Sequence, residues 1–351
     1  MAIKIALFAV SLAVTAPAYA ASVAITNLTS DGAGNAAFTD ANLKNPWGIS
    51  YSPTGAFWVS DNATGLTTLY NGTGMPQSLV VTIPAAGGGT TGTPTGQVFN
   101  ATTGFTVSQG SKKGAAVFIF DSEDGSISGW APSVNPTTAV TAVDRSGQGA
   151  VYKGLALYTT AKGATLLLAT DFHGGTVDVF DNTFKLVQQF RDKKFARNYS
   201  PYNVQVLNGQ VFVTYAKVDK ARHDNKSCPG CGGVEVLTGV DGSHTPKVAH
   251  RYMHGELNGP WGLAVAPSSW GSLAGDILVG NFSNGWIEAF TPTLSPVGLL
   301  NDANGAPIFI DGLWGLIPGN GASGGATNTI YFSAGTNDEA DGLFGALTFT
   351  P

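Results

Sequence analysis

A glycine that returns in similar company along the chain constrains its fold more than any other feature. NPWGISYS (45–52), NGPWGLAV (258–265) and DGLWGLIP (311–318) each place a bulky residue and a glycine before an apolar pair. Aligned on that glycine, TTGFTV (Gly104), YKGLAL (Gly154) and SPYNVQV (Asn203) join Gly48, Gly262 and Gly315, at spacings between 49 and 59 residues. A period of this length marks a repeat architecture, in which each unit is one small sheet or helix pair.

Within each unit the glycine strand is followed by a second apolar strand, such as AFWVSDN (56–62), TLLLATDFHGG (165–175) or DILVGNFSNG (276–285). A polar turn leads to a third, as in GTVDVFD (175–181), and five units add a weaker fourth, as in KLVQQFRD (185–192). Four strands per unit, six units and no helical periodicity predict an all-β, six-bladed β-propeller filling residues 21–351 as a single domain. The sixth unit ends after three strands, so residues 22–29 (SVAITNLT) are expected to supply its outer strand, which also covers an edge otherwise free to pair with other chains. The glycine is expected in the innermost strand, where six backbones crowd the channel. The Trp or Tyr beside it is expected to turn away from the axis and pack between neighbouring blades.

The P-x-G-hydrophobic opening and the strand after it resemble NHL-type propellers. DILVGNFSNGWIEAF, DANGAPIFIDGLWGL and YFSAGTNDEADGLFG are similar to segments of a family of uncharacterised secreted bacterial proteins, some of whose members carry PEP-CTERM sorting tails. The likeness runs over essentially the whole mature chain and implies an NHL-like propeller outside the cytoplasm. It implies no activity, because function on such a fold lives in its sites.

Residues 1–20 read as a secretory signal peptide: Lys4, an apolar run from Ile5 to Val14, and a small-x-small site at Ala18–Tyr19–Ala20. The mature chain is therefore expected to be secreted or periplasmic, and most simply monomeric. Loss of Lys4 leaves 17 basic against 23 acidic residues, a balance that argues against nucleic acid as a partner. No later stretch has the length of uninterrupted apolar sequence that a membrane-spanning helix needs.

In a propeller, the turns from second to third strands and those leading into each inner strand share one face around the channel mouth. The candidate ligand-binding residues on that face are Asn62, Asp171, His173, His223, His254, Asn281, Asn337, Asp338 and Glu339, with Glu123 and Asp124 nearby. Asp171, His173, Asp338 and Glu339 form a candidate metal set. Its oxygens would suit Ca2+, whereas the histidines, His223 and His254 included, would suit Zn2+. A bound ion would activate water against a lactone or ester, the chemistry of a metal-dependent hydrolase or lyase. Against this stands the ordinary role of Asp and Asn in DN, DG and ND pairs, which is to bond their own turns.

The segment KVDKARHDNKSCPGCGG (217–233) breaks the blade regularity as a long charged loop. It holds the two cysteines, Cys228 and Cys231, expected to form a local disulfide in an exported chain. His223 and the two thiols could instead offer three zinc ligands, although C-x-x-C alone is a weak metal signal. No phosphate-binding glycine loop is read as leading from a strand into a helix. The expected role is thus a scaffold binding an extracellular small molecule, glycan or protein, with the metallohydrolase as alternative and a structural envelope protein as a third reading.

Overall fold

The computed structural model describes residues 22–195 and 197–350; the leader read at 1–20 lies outside them. Six antiparallel sheets follow one another. Blade 1 is Pro46–Ser50, Phe57–Asp61, Leu66–Tyr70 and Val81–Thr82; blade 2 is Pro94–Phe99, Phe118–Ser122, Ser126–Trp130 and Val140–Asp144. Blade 3 is Tyr152–Thr159, Thr165–Asp171, Thr176–Phe180 and Leu186–Phe190, and blade 4 is Tyr199–Leu207, Gln210–Lys217, Gly232–Thr238 and Lys247–Met253. Blade 5 is Pro260–Val265, Ile277–Asn281, Ile287–Phe290 and Pro296–Leu299. Blade 6 is Leu313–Pro318, Thr329–Ala334 and Leu343–Thr350, and Ser22–Ser30 completes it from the other end of the chain. The first strands of the blades touch one another in a closed ring, which makes the chain a six-bladed β-propeller.

Closure follows the expected scheme. Ser22–Ser30 runs antiparallel to Leu343–Thr350, with Ser22 opposite Thr350 and Ser30 opposite Leu343, and Phe38–Thr39 adds a short parallel strand outside it. Apolar layers fill the gaps between blades. Trp270, Leu278, Ile287, Ile310 and Phe332 pack between blades 5 and 6, and Ile119, Ile127, Tyr152, Leu167 and Phe180 between blades 2 and 3. Among the described residues no helix is long and apolar enough to cross a membrane.

The second unit was misphased by the sequence pattern. Its inner strand is Pro94–Phe99 with Gly96, whereas Gly104 leads into an inserted hairpin, Thr106–Gln109 and Lys112–Ala115. The strand PTGQVF hides because its Gln97 replaces apolar packing with hydrogen bonds, donating to the carbonyls of Gly48 and Trp58 at 2.7 and 2.9 Å and accepting from Ser50. With Gly96 in register, the reason for the repeat is geometric. A Cβ on Gly48 would stand 2.5 Å from the Thr95 carbonyl oxygen, on Gly96 2.4 Å from the Leu155 nitrogen, and on Gly262 2.5 Å from the Trp314 carbonyl oxygen. Each inner strand thus abuts the backbone of the next blade. The exception, Asn203, uses its side chain to bridge the same gap, donating to the Trp261 carbonyl at 2.7 Å.

Several blades bury a carboxyl, and this sets the sign of the pH response. Burial pushes Asp121 up to about 7 despite its hydrogen bond from Thr95, and burial, with the Glu256 charge adding to it, raises Glu288 to about 7. Glu288 leaves Oε2 without a hydrogen-bond partner among the described residues. Between their ordinary values of 3.8 and 4.5 and pH 7, the folded chain holds protons on these groups that the unfolded chain releases. Stability therefore falls as pH rises through that window. Asp31 and Asp192 act oppositely: burial is outweighed by Lys44 at the first and by hydrogen bonds and the Arg251 charge at the second, and both are lowered. Their contribution is lost in acid. The melting temperature is expected to peak near pH 5 and to decline towards pH 8. Glu288→Gln should flatten that decline, adding about 1–3 kcal/mol at pH 8 and little at pH 5. A wild-type curve that rises from pH 5 to pH 8 would contradict this assignment.

Candidate functional site

The residue preceding each inner glycine position is Trp47, Thr95, Lys153, Tyr202, Trp261 or Trp314, in blade order. These side chains were expected between blades; four of them instead meet in the channel. Trp47 of blade 1 lies 6.0 Å from Trp261 of blade 5, and these blades are not neighbours in the ring. Trp261 also donates its indole N–H to the Lys153 carbonyl of blade 3 at 2.9 Å. Trp314 stacks on Trp47 and on Phe282, while Tyr202 and Trp261 meet it edge-on. The rings turn inward because the gap between inner strands is closed by glycine against backbone, or once by the Asn203 side chain, whereas the axis has room for indoles. The result is an aromatic plug across the channel, with its three indoles and the Tyr202 ring buried and Phe282 half-buried.

Lys153 occupies the position of an aromatic residue and lies against the plug. Its ammonium sits 5.0 Å from the Trp47 ring centroid, and its side chain is 1% exposed. A buried ammonium needs partners, and it has two: it is ion-paired with Glu123 and donates to Asp224 Oδ1 at 3.1 Å. From there a hydrogen-bonded circuit runs around the mouth. Glu123 Oε2 accepts from Asn62 at 2.8 Å, and Asn62 Oδ1 accepts from Asn45 at 3.3 Å. Asn45 donates to Glu339 Oε1 at 2.9 Å and accepts from the Trp314 indole at 3.1 Å.

The long loop closes this circuit. Asn225 accepts from the Tyr202 hydroxyl and donates to Ser283, both at 2.8 Å, so blades 4 and 5 are joined through it. Arg222 anchors the outer arm by donating to the carbonyls of His173 and Arg197 at 2.7 and 2.8 Å and to the Ser200 hydroxyl at 2.7 Å. Cys228 and Cys231 form the expected disulfide, and the Cys228 amide donates to Asn258 Oδ1 at 2.8 Å. On the facing rim, Asn337, Asp338 and Glu339 are three successive non-glycine residues with φ of 56°, 55° and 65°. Left-handed backbone costs such residues roughly 1–2 kcal/mol each, and this run places the Glu339 carboxylate in the circuit.

The electrostatics follow from that placement. Burial raises Glu339, and the Glu123 and Asp224 charges add to the effect against Asn45 and Lys153. Asp224 is lowered: burial opposes its charge, but Lys153 and then His223 outweigh it. The three potential metal ligands that converge among the described residues are Glu123, His223 and Asp224, with ligand atoms within 4.8 Å of one another. The Lys153 ammonium contacts one oxygen of each carboxylate in that group, so a fixed positive charge already stands where a divalent ion would draw on them.

Of the residues read as candidates, Asn62, His223 and Glu339 belong to this cluster. Asp171 does not; it is buried and accepts from the amides of Val151 and Gly174 at 3.1 and 2.9 Å, the ordinary work of a turn. Asn281 is likewise internal, accepting from the Asn258 amide and donating to the Trp286 carbonyl. His173 is exposed and serves Arg222 through its carbonyl, and the ring of His254 faces the Gly230 carbonyl. Asn337 donates to Asp341, and Asp338 is exposed. The candidate metal set Asp171, His173, Asp338 and Glu339 is accordingly not the group that converges: its members come from blades 3 and 6, on opposite sides of the ring. Lys153, Asn45, Tyr202, Asp224 and Asn225 were not among the candidates. The signal for Lys153 was YKGLAL itself, a lysine in the register position that carries aromatics in four other units.

Fold and site together define a six-bladed β-propeller whose channel is stoppered by aromatic rings beneath an ion-paired mouth. The chain belongs to the family of uncharacterized protein L690 of Acanthamoeba polyphaga mimivirus, to which it is 32% identical over 321 residues, 89% of this chain and 82% of that protein. Uncharacterized protein R648 of the same virus is 29% identical over 334 residues, covering 92% of this chain and 79% of the relative. These relatives are viral, whereas the resemblance drawn from sequence segments was to a secreted bacterial family. No family model matches the chain. Among solved structures, a streptogramin B lyase superposes with a TM-score of 0.55 at 11% identity, covering 94% of this chain and 98% of that one. Virginiamycin B lyase from Staphylococcus aureus gives 0.53 at 11% (94% and 99%), and a glucose dehydrogenase 0.52 at 12% (92% and 99%). At these identities the likeness is one of fold.

Proposed function

We propose that the protein is an exported binding propeller that presents its mouth face, above all the disulfide-closed loop 217–233, to an extracellular glycan, peptide or protein. The observation that carries this reading is Lys153. A catalytic metal centre keeps a coordination position open for substrate or water. Here an internal ammonium takes the shared oxygens of Glu123 and Asp224, and the amides around it are satisfied by one another. Such a mouth is built for rigidity, which lowers the ordering cost of binding at the loop it holds. The second reading, a metal-dependent hydrolase or lyase, draws on the convergence of Glu123, His223 and Asp224 and on enzymes such as virginiamycin B lyase sharing the fold.

Metal analysis separates the two. Protein purified without chelator is expected to contain no stoichiometric zinc or calcium, and its melting temperature to stay within about 1 °C after EDTA. Lys153→Met should lower stability by about 2–4 kcal/mol through the unpaired carboxylates it leaves. It should also speed tryptic cleavage at Lys220, Arg222 or Lys226 at least tenfold, because Asp224 loses its anchor. One equivalent of metal in the wild type, with a lower melting temperature once it is stripped, would instead make the mouth a metal centre.

A further inference from the structure

The plug divides the channel, and its far side is a different environment. Between the aromatic plug and the face opposite the mouth, the second halves of the inner strands enclose a cavity of about 350 Å³, with Trp261 among its lining residues. Its wall includes Ile49, Val98, Leu157, Val206 and Ile317 from five blades. All five are only partly buried: each packs on one side against an apolar layer between blades and lines the cavity with what remains. No carboxylate, lysine, arginine or histidine lines the cavity.

Its polar side chains differ in how far the protein already uses them. The Gln97 amide is used within the protein on both sides, as described, and the Tyr51 hydroxyl donates to the Pro318 carbonyl at 2.8 Å. Gln205, from blade 4, also lines the cavity, and its side-chain amide has no hydrogen-bond partner among the described residues. A concave, preformed space of this volume, with apolar side chains from five blades and one free polar side chain, is what small-molecule sites share.

We infer that this cavity binds a small uncharged molecule, apolar or aromatic in its body and carrying one hydrogen-bonding group that meets Gln205. The ligand enters from the face opposite the mouth and stops at the plug, so this site is independent of the binding proposed there. An uncharged body is required because no ionic group of the wall could pair with a charge taken out of water.

The test uses N-phenyl-1-naphthylamine, a neutral aromatic probe with one N–H, titrated into the wild-type protein. Saturable 1:1 binding is expected, with a rise in probe emission and quenching of tryptophan fluorescence through Trp261. Val98→Trp, which intrudes on the cavity, should weaken binding at least tenfold in protein that keeps the wild-type circular dichroism spectrum, and Gln205→Leu should weaken it about threefold to tenfold. Should Val98→Trp fail to fold, Gln205→Leu alone decides. Absence of saturable binding to the wild type overturns the inference. So does equal affinity in wild type and variants, which would put the probe elsewhere on the surface.

Discussion

Trp314→Ala is expected to lower the unfolding free energy by about 3–5 kcal/mol, the range for truncating a buried aromatic residue. Three effects add at this position. The indole is 1% exposed, stacks on Trp47 and Phe282, and is met edge-on by Trp261 and Tyr202, so its removal opens a void on the axis that rigid strands cannot close. It also leaves Asn45 Oδ1 without its donor and loosens the amide that holds Glu339 and Asn62. Trp314→Phe keeps the stacking and loses the hydrogen bond, and should cost less than half as much. Urea unfolding followed by far-ultraviolet circular dichroism measures both. If alanine costs under 1 kcal/mol, the plug is not a structural element.

Deletion of residues 22–30 is expected to cost still more, about 5 kcal/mol or above, which is a large share of the stability of an ordinary domain. The strand pairs along the whole of Leu343–Thr350, and Val23 sits in the same apolar layer as Trp270, Leu300 and Leu347. Without it, the last blade keeps three strands and exposes an unpaired edge that invites association between molecules. Expression should shift to the insoluble fraction, and soluble protein should melt at least about 10 °C lower. A soluble monomer with the wild-type melting temperature would mean that closure through this strand is dispensable.

The architecture was legible because its causes are local. The inner glycine must recur wherever two backbones touch, and the alternation of each strand is set by the apolar layers on its two faces. The missing fourth strand of blade 6 pointed to residues 22–29 because an unpaired strand at one end and a free edge at the other are complementary. Where a polar side chain did the work of an apolar one, as with Gln97, the register was lost and Gly104 was taken for Gly96. The plug was not legible, since whether an aromatic ring turns inward or between blades depends on space set by all six strands together. The mouth was half legible for the same reason. Asn62, His223 and Glu339 are on the predicted face, but Lys153 lies inside a strand, and only the assembled ring brings it to Glu123 and Asp224.

The pairing of Ser22 with Thr350 has a mechanical consequence. Ser22 and Thr350 sit side by side at one end of the closing strand pair, so tension applied through both would open its hydrogen bonds one after another, like a zip, and not all at once in shear. Held through one of them alone, the ring carries no such load, and the seam stays shut.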